Sequence, residues 1–231
     1  MNIIDLVVIA MIALYFISGC YRGFLSSLLN LGGVFFAWII SFFTYPILSD
    51  VLVNSKFFQS IRFYLEGGEK IKVEYSRQLV SSLTDNGLTE IMDSAKLSSP
   101  YSKAITQNIS KQVFADQGLT TVGEYFDLTI YNVIMNIIAF VILFVCLRVL
   151  FTLFTNAFSY SMELPQLQRF DAPLGGIVSL FRGFFSMHVL FMFVPIGLMI
   201  FPEISELLNN SFTTSLFYSG SVILPFISGK L

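Results

Sequence analysis

Four long stretches of this chain are almost free of charge, and they decide what it can fold into. Ile3–Cys20 carries only Asp5, Phe24–Leu48 carries no charge, and Leu128–Phe154 carries only Arg148. Gly183–Phe201 holds His188 and is immediately preceded by Arg182. A helix crosses about 30 Å of hydrocarbon with roughly 20 mostly apolar residues. Backbone inside lipid must satisfy its own hydrogen bonds, so each run is expected as a membrane-spanning helix. The remaining charge is concentrated: residues 54–128 hold 17 of the 28 charged residues. Only 12% of the chain is charged, whereas a soluble domain needs about a quarter.

The expected fold class is therefore all-α: a polytopic membrane protein with about four transmembrane helices and a helical polar insert between spans two and three. Residues 1–53 read as a transmembrane hairpin, 54–128 as an extracytoplasmic helical insert, and 129–231 as a second transmembrane pair with an interfacial C-terminal tail. The second span is expected to bend or end near Pro46. Thr121 and Glu124, at capping-box spacing, mark the approach to the third. The first run lacks a basic residue ahead of it and a clear cleavage site, so it reads as a retained helix and not a signal peptide. Ile17-Ser18-Gly19-Cys20 resembles a lipoprotein signal, but the missing basic segment argues against acylation.

Within the insert, Ile105, Ile109, Val113 and Phe114 recur on one helical face, with Ser99-Pro100 as the helix start. Asp85-Asn86-Gly87 and Glu66-Gly67-Gly68 read as turns. Phe57, Phe58, Ile61 and Phe63-Tyr64 suit the bilayer interface. The tail after Ser211 has an apolar Ser221–Ile227 stretch broken by Pro225, too short to span.

Asn2 and Asp5 have the spacing of a helix N-cap and a first-turn acid, so capping is the preferred reading of Asp5 over a buried proton carrier. Gly19, Gly23 and Ser27 share a helical face, as do Gly175, Ser179 and Gly183. Such faces let backbones approach closely in lipid, within the chain or between copies. Arg22-Gly23-Phe24 recurs as Arg182-Gly183-Phe184. An arginine that snorkels to headgroups at a helix entrance, followed by a glycine turn, explains both; a two-helix repeat is the sharper alternative. His188 is an ionisable residue inside a span and hence a candidate for proton movement. It has no intramembrane acid at comparable depth, which favours a neutral imidazole hydrogen-bonded within the bundle.

Other classes of function find no footing. A net charge of −2 gives no basic footprint for nucleic acid. Cys20 and Cys146 form no metal motif, and no cofactor motif occurs. No nucleophile is paired with a base, so no catalytic residue and no enzyme are expected. The arginines set the orientation: Arg22, Arg148, Arg169 and Arg182 lie on one side of a four-span chain and are placed in the cytoplasm, with both termini outside.

In this arrangement the chain resembles the colicin V production protein (CvpA) family of bacterial inner-membrane proteins. The resemblance rests on Asp5, the Gly19…Arg22-Gly23-Phe24 junction, the Gly33/Ala37 face, Glu124–Asn136–Ile138, and Leu174-Gly175-Gly176…Arg182-Gly183-Phe184. It implies a four-helix protein of the bacterial cytoplasmic (inner) membrane, linked by the family's name to production or export of a peptide toxin. Some members carry an extracytoplasmic serine protease; no such domain occurs up to Leu231, so none of its activity is expected. The leading expectation is a membrane accessory or scaffold protein with the lipid bilayer as its medium. Its partner would be another membrane protein or a second copy, met through the small-residue faces. The rival is a small ion, proton or solute channel or transporter, built around His188 and Arg182.

Overall fold

The computed structural model describes residues 2–62, 65, 67–159, 170–221 and 223–228. Arg169, Phe63, Tyr64 and Glu66, which entered the readings of orientation, interface and turns, lie outside the described residues. The chain folds into α1 (Ile3–Arg22), α2 (Phe24–Val53), α3 (Lys56–Arg62), α4 (Val73–Ser76), α5 (Asp85–Ala95) and α6 (Tyr101–Ser110). There follow α7 (Val122–Ser159), α8 (Asp171–Phe191), α9 (Val194–Ile200), α10 (Ile204–Asn209), α11 (Phe212–Thr214) and α12 (Ile223–Ser228). No strand forms among the described residues, and four of their helical segments are long and apolar enough to cross a membrane. The chain is an all-α multi-pass membrane protein.

Two span boundaries differ from the hydropathy reading. α2 neither ends nor breaks at Pro46 but runs on to Val53; neighbouring helices can satisfy the carbonyl that a proline leaves unbonded. The fourth span starts at Asp171, twelve residues before Gly183. Arg182 is therefore a mid-helix residue, 5% exposed, and not an arginine at a helix entrance. The two Arg-Gly-Phe triplets consequently differ in kind. Gly23 breaks the chain between α1 and α2 with φ +78, whereas Gly183 lies inside a continuous helix.

By contacts the chain divides into two compact units. The first comprises Met1–Tyr45, Phe140–Val194 and Phe201–Ser221; the second comprises Pro46–Ala139, Pro195–Ile200 and Val222–Leu231. In the second unit, Ser49 donates to Asn136 at 2.6 Å, and the Asn136 amide donates to the Ile227 carbonyl at 3.1 Å. Asn136 thus ties the end of α2, α7 and α12 together, which gives that residue of the family resemblance a structural role. The polar insert contributes its own core of Ile91, Tyr101, Ile105 and Ile109. On α7, Val122, Tyr125 and Phe126 are buried as well, the Tyr125 ring 5.2 Å from that of Phe114.

Local rules explain the insert's helices. Glu124 accepts from the Thr120 and Thr121 N–H groups at 2.9 Å each, and Thr121 accepts from the Glu124 N–H, completing the expected capping box. Pro100 sits one residue ahead of α6, at its N-cap. Asp85-Asn86-Gly87 is not a turn: Thr84 caps Gly87 at 3.3 Å, and the three residues form the first turn of α5. Turn-forming and helix-starting residues are chemically the same set, so the short motif alone did not separate them.

Candidate functional site

The residues singled out by pattern converge in the first unit, on an antiparallel pair made by α1 and α8. Their direction follows from the contacts: Gly19 meets Gly175 and Ser179, Gly23 meets Asp171, and Tyr15 meets Gly183. A Cβ on Gly175 would stand 2.5 Å from the Gly19 carbonyl oxygen and 2.7 Å from the Gly23 carbonyl carbon. On Gly176 it would stand 2.6 Å from the Phe16 ring and 2.8 Å from the Cys20 sulfur. Gly183 is less confined, with Tyr15 ring atoms at 3.0 Å. Lipid offers no hydrophobic drive for helix pairing, so backbone-to-backbone approach of this kind supplies the dispersion contacts that hold the pair. The small-residue faces are therefore occupied within the chain. Leu14, Ile17 and Tyr21 remain exposed on α1.

Asp5 fastens the start of α1. Its carboxylate accepts the Asn2 N–H at 3.1 Å, completing a capping box at the start of α1. It also accepts from Ser211 Oγ at 2.8 Å, Thr213 N–H at 3.0 Å and Thr213 Oγ1 at 2.9 Å. Asn2 adds a bond from its side-chain amide to the Leu207 carbonyl. Capping is thus only part of the role of Asp5, which also anchors the turn leading into α11. Sequence reasoning missed the second part, because Ser211 and Thr213 are more than 200 residues away. Their only signal was a Ser/Thr cluster ahead of a short helix. Asp5→Ala is expected to lower the melting temperature and to expose the 203–214 segment to limited proteolysis. Asp5→Asn should retain part of the cap. Unchanged cleavage in Asp5→Ala would remove the anchoring role.

At the other end, Asp171 accepts the Phe24 N–H at 2.9 Å. It supplies from α8 the partner that the first turn of α2 lacks, because the N-terminal amides of a helix have no intrahelical acceptor. Asp171 carried no motif and was not singled out by the sequence. About three turns further along α8, Arg182 places its guanidinium over the Tyr15 ring, 5.1 Å from the centroid. Ser179 donates to Ser27 at 3.2 Å, and Arg148 reaches Asn30 Oδ1 at 3.5 Å. Arg22 lies exposed at the α1 terminus.

His188 is half-buried on α8, its ring centroid 4.7 Å from that of Phe184 and 4.9 Å from that of Phe217. Its Nδ1 is 3.1 Å from the Phe184 carbonyl, which accepts from it within the same helix. Phe217 belongs to a core with Val8, Met187 and Phe191. Residues 217–218 thus pack within this unit. Among the described residues no group of three His, Cys, Asp or Glu side chains is placed to hold a metal.

Comparison with known proteins adds one finding. The sequence profile described as colicin V production protein matches residues 4–99 and 109–222, nearly the whole chain. No curated protein and no solved structure matches it.

Proposed function

This chain belongs to the colicin V production protein family, and we propose that it works as a membrane accessory or scaffold protein, assisting toxin production, secretion or envelope function through partners and catalysing no reaction itself. The observation that carries this reading is the use to which the singled-out residues are put. Gly19, Gly23, Gly175 and Gly176 bring α1 and α8 into close contact, Asp5 ties the start of α1 to the 211–213 turn, and Asp171 of α8 accepts the first N–H of α2. Such residues build a stiff platform, with an outer apolar surface left for a partner in the membrane. The aromatic packing of His188 supports a structural role over a proton relay. We place the protein in the bacterial cytoplasmic membrane, with both termini and the 54–128 insert outside, from Arg22 at the junction of α1 and α2.

In-cell crosslinking with an amine-reactive reagent, followed by mass spectrometry, tests both parts. A membrane-impermeant reagent should modify Lys96, Lys103 and Lys111 in intact cells; modification only after lysis would invert the orientation. A permeant reagent should capture a stoichiometric membrane partner. If only bare monomer is recovered with the permeant reagent, the scaffold reading fails whatever the orientation.

A further inference from the structure

The first unit contains an electrostatic imbalance that the scaffold role does not use. Arg182, 5% exposed, has a cationic side chain in the middle of a membrane helix, and its Nε has no hydrogen-bond partner among the described residues. Arg148 on α7 repeats the situation: its Nη1 is buried without a partner, and its Nη2 reaches Asn30 only at 3.5 Å, the far limit for a hydrogen bond. Among the described residues, the charged groups near Arg182 are Arg148 and Arg22, both of them cations. Of the described carboxylates of the same unit, Asp171 accepts the Phe24 N–H, Asp5 binds the turn at Ser211 and Thr213, and Glu203 and Glu206 lie beside Asn2.

Stacking on Tyr15 serves the face of the Arg182 guanidinium but leaves its in-plane N–H groups unserved. Charge at this depth is expensive unless it is paired and hydrogen-bonded. The neighbouring side chains, Asn30, Ser27 and Ser179, are neutral, buried and polar. Tyr15 lies two turns, about 10 Å, inside the Arg22 end of α1. Two guanidinium groups with vacant donors and, among the described residues, no carboxylate bonded to either suit a tetrahedral oxyanion, whose oxygens accept the forked N–H pairs of arginine.

We propose that Arg148 and Arg182 form a binding site for a phosphate group, carried either by an anionic phospholipid headgroup or by free inorganic phosphate. The anion supplies the counter-charge that the helices themselves do not, and it ties α7 to α8. The site is independent of the scaffold reading, since it needs neither a protein partner nor a toxin.

The test uses the full-length protein, delipidated in neutral detergent, beside Arg182→Gln, Arg148→Gln and a control, Lys103→Gln, on the exposed face of the insert. Native mass spectrometry compares retention of phosphatidylglycerol with phosphatidylcholine. Thermal unfolding compares inorganic phosphate with chloride at equal ionic strength. Wild type and Lys103→Gln should prefer the phosphate-bearing anion, and loss of either arginine should weaken retention about tenfold. Preference for phosphatidylglycerol alone assigns a lipid headgroup, and a response to inorganic phosphate assigns the free anion as a ligand. An arginine that merely supports the fold would lower the melting temperature equally under every condition, without removing any ligand-dependent difference. That result, or a wild type indifferent to both comparisons, overturns the proposal. Should an arginine variant fail to fold, the wild-type comparisons still decide.

Discussion

Gly175→Leu is expected to separate α1 from α8 and to remove at least about 3 kcal/mol of stability, the upper range for overpacking a close-packed site. Even the first atom of the new side chain would fall 2.5 Å from the Gly19 carbonyl oxygen, a backbone atom that no rotamer change can move aside. The Gly23 carbonyl carbon, 2.7 Å away, closes the other direction. Gly32→Ala is the matching control on α2, where a Cβ meets nothing within 4 Å. Chemical denaturation in detergent should give a loss for Gly175→Leu and no loss, or a gain of up to about 1 kcal/mol, for Gly32→Ala. Equal stabilities would mean that the glycine face does not hold the pair.

Gly23→Ala should cost about 2–4 kcal/mol, from backbone strain together with a lost cap. Gly23 has φ +78 and ψ 173, a region reached almost only by glycine. The added methyl group would also meet the Asp171 carboxylate, which then could no longer accept the Phe24 N–H. The two contributions separate in a double-mutant cycle. Asp171→Ala alone should cost about 1 kcal/mol, in the range of a lost helix cap. Added to Gly23→Ala it should cost little more, because the bond is already broken. Full additivity, read from unfolding midpoints, would show that glycine and carboxylate act separately.

Local chemistry was legible in the sequence, and long-range pairing was not. The spacing of Gly19 and Gly23, and of Gly175 and Ser179, marked faces for close approach. Periodicity says which residues share a face and not which face they meet, so intrachain packing and self-association stayed open until the two faces were seen together. Asn2 and Asp5 were legible as a cap because the motif spans one turn; Ser211 and Thr213 were invisible because nothing local links them to Asp5. Arg182 misled for a physical reason. A charge in an apolar run normally marks where the helix leaves the membrane, and that rule presumes lipid on the other side. Here the guanidinium rests on Tyr15 of α1, so the helix continues through it for eleven residues on its N-terminal side.

A cell lacking its own copy of this protein, supplied with His188→Gln or Gly175→Leu at matched membrane levels, provides the most direct measurement. Its readout is the toxin-export or envelope phenotype relative to wild type. Retained function in His188→Gln with loss in Gly175→Leu is the expected result, since the protein then depends on the α1–α8 platform and not on a titrating side chain. Loss of function in a correctly assembled His188→Gln, with Gly175→Leu still active, would contradict it and make His188 the working residue of a transport path.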